Sequence, residues 1–478
     1  MPYTVLDLFA GGGGFSTGFL MARRGNSSFE IIRAVELNPD ACDTLRNHLG
    51  PDKVIEGDIT DEETKQKIIE DCQGVDVIIG GPPCQTYSLA GPSRSGKPEM
   101  REALKTDPRN TLFRHFFDLV GRIKPKVVVF ENVEGIISKQ LDTDEELSQK
   151  QQVAIEVICD ELESIGYSTQ IEGQILSRYQ VLNAVNYGVP QQRKRVIIIA
   201  NNRDRLNPPL HLGGGNLPQT LKQAIGHLPV ALPEISVSRM ASIINMEVIT
   251  KNLSQSLHAF FSSIKNLKNI YSERPEVNSE EFERVLNYFE TKLPRLLGRK
   301  SRKLMYLEEF LRGYKGLVQE YEKQHLIEFP AHTSRAHNIR DVVIFSMMQP
   351  GSSSAQFMNA ESTLFNQFLN NIYPYDRTKH VDTYVKHSWD KPSNTILSHM
   401  EKDGLKFIHP DQPRTFTPYE AALIQSFSYD YKFSGGRNAQ YRQIGNAVPP
   451  LLAKSIGESL LRLLEDISKK KEHDSLRG

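Results

Sequence analysis

The chain has 478 residues, and its 58 Lys and Arg residues balance 58 Asp and Glu residues, so the formal net charge is zero. With 39% hydrophobic and 24% charged residues, the composition excludes a disordered polyelectrolyte and is typical of a globular protein with two or three domains. The four cysteines contain no Cys-x-x-Cys pair, which argues against a disulfide scaffold or a cysteine-rich zinc site and favours a reducing cytoplasm.

The charges are unevenly distributed along the chain. Residues 1–200 hold 22 Lys and Arg against 29 Asp and Glu, so the remaining residues carry the opposite balance. The neutral total therefore does not exclude a nucleic-acid partner, because the second part has the basic surplus that phosphates require. The amino terminus lacks a signal-peptide pattern and no run of about 18 apolar residues occurs, so we expect neither secretion nor a membrane partner.

The first 200 residues alternate short β-branched runs with amphipathic segments, which predicts βαβ units and a mostly parallel sheet. The predicted strands are Val5–Phe9, Ile31–Val35, Lys53–Ile55, Val75–Ile79 and Lys126–Phe130. The predicted helices lie near Phe15–Arg23, Asp40–Leu49, Asp61–Asp71, Thr111–Arg122 and Val153–Ile165. Two later runs, Thr169–Leu176 and Val196–Ala200, are expected to pair as an antiparallel edge.

The rest of the chain lacks the alternation of strand-like and helical segments seen in the first 200 residues. A linker-like stretch rich in Pro and Gly follows Asn201. The segment Leu253–His325 has helical spacing, which predicts a helical insertion with breaks at Pro275 and Pro294. An amphipathic helix is predicted over Leu451–Ile467, before a polar tail over Ser468–Gly478.

Glycines follow the first predicted strand and acidic residues follow the next two, in a pattern that suits a nucleoside. The first strand runs into four glycines, residues 11–14, and then into a helix, which can bring a ligand close to the backbone. Glu36 ends the second strand, where a carboxylate can accept hydrogen bonds from both ribose hydroxyls. Asp58 follows the third strand, where a carboxylate could accept a hydrogen bond from an adenine amino group. Because no Lys or Arg lies in the glycine turn, a nucleoside without phosphates is the better ligand. A tight chain turn is the alternative explanation for the glycines.

A second set of chemical groups follows the next two strands. Cys84 lies after a Gly-Gly-Pro-Pro turn, where nearby cations could lower the pKa of the thiol, and Glu131 ends the following strand. Arg193 and Arg195 lie on one face of an extended segment. Each has an ordinary alternative: a lone Cys is usually a small buried hydrophobe, and strand-end carboxylates and short basic runs are usually solvated.

Taken in order, these motifs resemble those of the DNA (cytosine-5)-methyltransferases of bacterial restriction–modification systems. The resemblance covers residues 3–200 and about 385–460, while residues 205–385 match only loosely, as a variable target-recognition region would. The motifs are Asp7-Leu-Phe-Ala-Gly-Gly-Gly-Gly-Phe-Ser, Glu36, Gly57-Asp58, Gly-Pro-Pro-Cys84-Gln, Glu131-Asn132-Val133, Gln191-x-Arg193-x-Arg195, Arg414-Thr-Phe-Thr-Pro-Tyr-Glu420 and Gly445-Asn446-Ala447-Val448-Pro449-Pro450.

The resemblance implies an α/β fold: a Rossmann-like S-adenosylmethionine-dependent methyltransferase domain with a smaller, irregular target-recognition domain that carries a helical insertion. The implied divisions are a catalytic and cofactor-binding domain over residues 1–204, a target-recognition domain over 205–435 with the insertion at about 253–325, and a return segment over 436–478.

The resemblance also implies residue roles in methyl transfer to carbon 5 of cytosine. The Cys84 thiolate attacks C6, Glu131 donates a hydrogen bond or proton to N3, and Arg195 contacts O2, while Arg193 and Gln191 order the loop that carries the thiol. No metal is expected, because the sulfonium of S-adenosylmethionine is already an activated methyl donor. The implied cofactor pocket consists of Phe9, Gly11, Gly13, Glu36, Leu37, Asp58, Ile59, Pro83, Asn446 and Ala447.

The implied partner is double-stranded DNA, with the target cytosine flipped out of the helix. Gln85, Ser88, Arg335 and Arg437 are the candidate DNA contacts, whereas a structural role is preferred for His332. We expect a monomer in a prokaryotic cytoplasm, associated with the nucleoid through DNA, and paired in function with a restriction endonuclease if one exists. The alternatives are a transfer-RNA cytosine-5 methyltransferase of similar fold and a catalytically silent DNA-binding regulator.

Overall fold

The computed structural model describes residues 2–83, 112–141, 152–172, 177–202, 207, 218–236, 246–299, 303–324, 326, 328–358, 383–400 and 404–475. The chain forms two compact units, Met1–Gln219 with Gln425–Gly478, and Thr220–Ile424. The functional domain boundaries at 204 and 435 stay a prediction beside this division. Among the described residues, no helix is both long enough and apolar enough to cross a membrane.

The strands and helices follow one another in the alternating order that the sequence predicts for its first 200 residues. The described strands are β1 (Tyr3–Leu8), β2 (Arg23–Arg24), β3 (Ser27–Glu36), β4 (Val54–Glu56), β5 (Val77–Gly80), β6 (Val127–Val133), β7 (Gln140–Leu141), β8 (Gln152–Val153), β9 (Gln180–Asn183), β10 (Lys194–Asn201), β11 (Glu234–Ile235) and β12 (Ala336–His337). The described α-helices are α1 (Gly14–Met21), α2 (Pro39–Leu49), α3 (Glu62–Cys72), α4 (Leu112–Ile123), α5 (Ala154–Ser164), α6 (Leu221–Ile225), α7 (Met246–Ile270), α8 (Glu280–Leu297), α9 (Lys303–Lys323), α10 (Ile339–Met347), α11 (Ser354–Met358), α12 (Pro418–Ile424), α13 (Arg437–Asn446) and α14 (Pro450–Ser475).

The first unit is built on one twisted sheet whose described strands run in the order β2-β3-β1-β5-β6-β10-β9, with β4 also paired to β3. β4, β3, β1, β5 and β6 are parallel, while β10 is antiparallel to β6 and to β9. The chain winds one way from β1 through β3 to β4 and the other way through β5 to β6. The α/β, Rossmann-like fold is confirmed, and its topological switch point lies between β1 and β5, where such folds bind ligands.

Helices cover both faces of this sheet, which explains why the central strands are almost continuously apolar. Ile68 of α3, Phe116 of α4 and Ile158 of α5 belong to the buried core on one face. Phe19 of α1 and Leu464 of α14 belong to the core on the opposite face. The sheet is therefore held rigidly from both sides, and its strand ends are fixed in space.

The strand ends lie in register at one edge of the sheet. Leu8 is aligned with both Val35 and Gly80, and Gly80 is aligned with Phe130. The next residue of each strand is therefore delivered to the same edge, and these residues are Phe9, Glu36, Gly81 and Glu131. This edge is where the sequence predicts the chemical groups.

The second unit contains the predicted helical insertion as three packed helices, α7, α8 and α9. Their aromatic side chains form a buried cluster, in which the rings of Phe260, Phe289, Phe310 and Tyr314 lie 5.3 to 5.6 Å apart by neighbouring centroids. Pro275 begins a short 3₁₀ turn and is a break, as predicted. The break predicted at Pro294 is wrong, because this proline lies within α8, whose helix continues to Leu297.

Two other element predictions are wrong. The described part of Thr169–Leu176 forms one isolated bridge, between Ile171 and Asn207, rather than a strand, and Ser168 just before it forms another with Asn201. β10 instead pairs with β9, which has one buried apolar residue, Leu182, and so has a weak sequence signal. The polar tail predicted from Ser468 is helical through Ser475, because no Gly or Pro interrupts α14 there.

Candidate active site

Gly81, directly after β5, lets the chain pass close to Glu131 of β6. A Cβ atom on Gly81 would lie 2.6 Å from Oε2 of Glu131, so only glycine lets the backbone pass the carboxylate this closely. The Asn132 side chain donates to the carbonyl of Pro82 over 3.4 Å and holds the following turn. Pro83 is the last residue described before Leu112, so Cys84, Gln85 and Ser88 lie outside the described residues. Cys84 therefore follows directly on the turn that Glu131 and Asn132 contact.

Glu131 and Arg195 form a nearly buried ion pair at the same edge. Because Ile197 of β10 lies opposite Glu131, Arg195 is on the same face two residues away, and its Nε lies 2.7 Å from Oε1 of Glu131. Each side chain is 10% exposed. Burial raises the pKa of Glu131, while the guanidinium groups of Arg195 and Arg193 oppose that increase. A raised pKa makes this carboxyl a better proton donor near neutral pH than an exposed Glu.

Arg193 and Gln191 contact the returning carboxyl-terminal segment. The fully buried Arg193 guanidinium donates to the carbonyl oxygens of Gly445 and Ala447 over 2.8 and 3.0 Å. Gln191 donates to the side chain of Gln425 over 2.9 Å, and Gln425 donates to the carbonyl of Ile444 over 2.6 Å. The role predicted for Arg193 and Gln191 in ordering the thiol loop stays a prediction, since these contacts hold the late motif.

The returning segment packs directly on the glycine turn. The Tyr431 hydroxyl donates to the carbonyl of Gly12 over 2.8 Å, and a Cβ on Gly12 would lie 2.9 Å from the Phe433 ring. A Cβ on Gly14 would lie 3.1 Å from the Ala447 side chain. The structure thus brings Ala447 beside the turn, with the exposed Asn446 next to it. Sequence patterns missed Tyr431 and Phe433 because these residues follow no periodic signal.

Glu36 is positioned by backbone amides. Its Oε2 accepts from the Gly11 amide over 2.8 Å, and its Oε1 accepts from the amides of Leu37 and Asn38 over 2.9 and 2.8 Å. Each carboxylate oxygen can accept about two hydrogen bonds, so Oε2 has capacity for a further donor. The carboxylate is therefore fixed at the strand end and can still receive a ligand hydroxyl.

The neighbouring predicted pocket residues offer both apolar and polar surface. Leu37 is 60% exposed, an unusual position for a large apolar side chain. Phe9 has a left-handed backbone with φ of 59°, which turns the chain out of β1 into the glycines. Asp58 accepts from the Thr60 amide and hydroxyl through Oδ1, both over 2.8 Å, and Ile59 is buried beside it. This set fits an adenosine moiety, with an apolar surface for the base and carboxylates for its polar groups.

Asp7 is a buried acid that sequence reasoning did not assign. It lies in β1 before the glycine turn and accepts a hydrogen bond from the Ser16 hydroxyl over 2.5 Å. Burial raises the pKa of Asp7 to about 7, and the Glu36 carboxylate adds to that increase. Its position in the Asp-Leu-Phe-Ala motif was visible in the sequence, but its burial was not.

The other candidate DNA contacts have different surroundings. Arg335 in the second unit is partly buried and donates to the Met400 carbonyl over 3.2 Å. Arg437, in the first unit, is the first residue of α13 and is partly exposed. The structural role preferred for His332 is confirmed, because its two ring nitrogens lie 2.8 Å from the Pro229 carbonyl and 3.0 Å from the Thr417 hydroxyl.

The motif that begins at Arg414 contains a buried ion pair within the second unit. Arg414 and Glu420 are fully buried and form two hydrogen bonds of 2.7 Å each between guanidinium and carboxylate. Glu420 also accepts from the Thr417 amide over 2.8 Å. This bidentate arrangement fixes the start of α12 and leaves neither charge uncompensated.

Comparison with known proteins identifies the family of this chain. A family model for C-5 cytosine-specific DNA methylase matches residues 3–462. The chain belongs to this family. Among its relatives, the type II methyltransferase M.DdeI of Desulfomicrobium norvegicum is 30% identical over 97% of this chain and 90% of its own length. The type II methyltransferase M.Bpa9945I of Bacillus paralicheniformis is 30% identical over 81% of this chain and 70% of its own length.

A solved structure supports the same fold. It belongs to a prophage-encoded Escherichia coli protein assigned as a DNA modification methyltransferase, and it aligns with a TM-score of 0.56 at 19% sequence identity. The alignment covers 97% of this chain and 99% of that protein. The two proteins therefore share a fold over nearly the whole length of this chain.

Proposed function

We propose that the chain methylates carbon 5 of cytosine in a specific duplex DNA sequence, with S-adenosylmethionine as the methyl donor, and that it is the modification enzyme of a type II restriction–modification system. The observation that carries the proposal is the Glu131–Arg195 pair, fixed at the strand end against the Gly81–Pro83 turn from which Cys84 follows. The type II names of the relatives favour the restriction–modification assignment. We expect it to act as a monomer on cytoplasmic, nucleoid-associated DNA.

The residues of this edge divide the chemistry between them. Cys84 supplies the thiolate that adds to C6 of cytosine, and Glu131 supplies a hydrogen bond or proton at N3, so that negative charge does not build up on the ring. Arg195 contacts O2 while it holds the Glu131 carboxyl in place. S-adenosylmethionine, held by Glu36, Leu37 and Asp58, would supply a methyl group already activated by its sulfonium. Loss of the C5 proton then lets the thiolate leave.

This chemistry requires an unstacked cytosine. The edge of a sheet cannot reach C6 inside a base-paired duplex, so the target base must rotate out at a cost of about a few kcal/mol. A flipped base can enter only if it reaches the strand ends, where Glu131 and Arg195 meet its Watson–Crick edge. The proposal therefore includes base flipping as a necessary step.

Covalent trapping tests the proposal directly. Duplex DNA that carries 5-fluorocytosine in place of cytosine should form a stable complex with the protein in the presence of S-adenosylmethionine, because fluorine at C5 cannot leave as a proton does. The control is Cys84→Ala, which should form no complex and transfer no methyl group but should bind S-adenosylmethionine as the parent does. Trapping only on transfer RNA would favour the RNA alternative, and retained methyl transfer in Cys84→Ala would refute the nucleophile.

Methylation-sensitive sequencing identifies the recognition site. DNA from cells that express the protein should carry 5-methylcytosine at one short sequence and nowhere else. A protein that is a silent regulator would leave the DNA unmodified. If the modified DNA also resists cleavage by an endonuclease encoded beside the gene, the restriction–modification assignment holds.

A further inference from the structure

The three-helix insertion of the second unit has ends of opposite charge. The first turn of α8 contains Glu280, Glu281 and Glu283, and the Ser279 hydroxyl caps it by accepting from the Phe282 amide over 3.3 Å. Acidic side chains at a helix amino terminus complement the helix dipole. This end therefore follows the ordinary electrostatic preference of helices.

The opposite end follows that preference only in part. Residues 291–307 contain six Lys or Arg residues and no Asp or Glu. Arg295 lies in the last turn of α8, where a cation is favourable, but α9 begins at Lys303 with no acidic residue in its first turn. Cations around a helix amino terminus oppose the dipole. Helix stability therefore explains only the cations in the last turns of α8, and not those that gather before and at the start of α9.

Three described cations define what we call the basic end: Lys292, Arg295 and Arg299. All three are exposed, and Lys292 and Arg295 share one face of α8 because they are three residues apart. The Arg299 guanidinium lies 4.3 Å from the centre of the Tyr306 ring, which orients it without neutralising it. The basic end is thus a solvent-facing group of three charges, of which Arg299 is oriented by an aromatic ring.

Three cations elsewhere on the same three helices are neutralised by carboxylates. Lys265 lies 3.3 Å from Glu290, Arg284 lies 3.0 Å from Glu320, and Arg312 lies 3.8 Å from Glu308. Within the described residues, the three cations of the basic end form no ion pair with a carboxylate. The same bundle thus contains paired cations along its length and a cluster of three unpaired ones at this end.

We propose that the basic end binds the phosphate backbone of duplex DNA outside the target cytosine and so anchors the enzyme on its substrate. This inference rests on the proposed function, because DNA is the polyanion that the family's activity presents to the protein. Exposed Lys and Arg without carboxylate partners are the groups that exchange for counterions on DNA. Phosphate contacts of this kind add affinity and position without reading sequence.

The salt dependence of DNA binding tests the proposal with matched variants of the full chain. One triple variant, Lys292→Gln, Arg295→Gln and Arg299→Gln, removes the basic end. The control, Lys265→Gln, Arg284→Gln and Arg312→Gln, removes three paired cations from the same helices and makes the same change in net charge. The probe is a fluorescent 30-base-pair duplex, measured by anisotropy from 50 to 200 mM salt.

The two variants should differ clearly. Each phosphate contact contributes about 0.9 to the slope of log affinity against log salt, so removing the basic end should lower the slope by about 2.7. Over the fourfold range of salt, the parent should lose about 40-fold more affinity than the basic-end variant. The control variant should keep the parent's slope. An unchanged slope in the basic-end variant, or an equal change in the control, would overturn the proposal.

A second readout separates this proposal from the proposed function. Methyl transfer to DNA at saturating concentration should have the parent's kcat in the basic-end variant, with a raised KM for long duplexes. If the parent methylates no DNA while the slopes still differ, the proposed function fails and the anchoring surface stands. If methylation proceeds with equal slopes and equal KM, the anchoring surface fails alone. A slope difference seen with RNA duplexes but not with DNA would also refute it.

Discussion

The arginines of the strand-end edge and the cations of the basic end illustrate two uses of positive charge in one chain. Arg193 has no exposed surface and donates to two backbone carbonyls, and Arg195 is paired with Glu131. Lys292, Arg295 and Arg299 are exposed and have no carboxylate partner among the described residues. A basic residue in a protein that acts on DNA is therefore informative only together with its burial and its partners. In our proposal, the buried guanidinium groups build the site and the exposed cations of the basic end bind the polyanion.

The largest effect should come from removing the buried guanidinium of Arg193. Arg193→Ala leaves the carbonyls of Gly445 and Ala447 without a donor and creates a cavity, so we expect the free energy of unfolding to fall by about 3 to 5 kcal/mol. Its sequence neighbour Lys194, exposed and 3.1 Å from Glu134, provides the control. Lys194→Ala should cost less than about 1 kcal/mol. Urea denaturation measures both, and equal losses would refute the distinction.

The Glu131–Arg195 pair should show strong energetic coupling. Glu131→Gln leaves the Arg195 charge buried without a counter-charge, and we expect a loss of about 3 kcal/mol in unfolding free energy. A double-mutant cycle with Arg195→Gln should give a coupling energy above about 1 kcal/mol. The cycle for the exposed Lys194–Glu134 pair should give less than about 0.5 kcal/mol. Similar coupling in the two cycles would mean that burial does not strengthen the Glu131–Arg195 pair.

The buried acid Asp7 should make stability depend on pH. Its pKa is raised to about 7 in the fold, so the folded state favours the protonated form and loses stability as pH rises from about 4 to 7. Asp7→Asn removes this dependence, and the variant should gain about 2 kcal/mol relative to the parent between pH 5 and pH 7. The exposed Asp43→Asn, whose carboxylate pairs with Arg46, is the control and should show no such change. Thermal unfolding at several pH values would reveal a flat difference if Asp7 titrated normally.

The sequence predicted where the chemical groups lie better than it predicted which residues pack against them or pair with them. Parallel strands end at one edge, so Glu36 and Glu131 could be placed together from their positions after β-branched runs. The packing of Tyr431 on the glycine turn could not be predicted, because the two lie 419 residues apart and no periodic pattern joins them. The same holds for β9, with its one buried apolar residue, and for the pairing of each cation, which depends on neighbours brought by the fold.

The smallest expected effect gives the sharpest test of the comparison. If the basic end exists for DNA rather than for the fold, the variant Lys292→Gln, Arg295→Gln and Arg299→Gln should have nearly the parent's free energy of unfolding, within about 1 kcal/mol for three exposed substitutions. The helix-dipole effects should nearly cancel, because removing Arg299 relieves an unfavourable interaction near the start of α9 while removing Arg295 loses a favourable one at the end of α8. Urea denaturation without DNA measures this, with the paired-cation variant as the control. A loss above about 2 kcal/mol would give these residues a structural role like that of Arg193.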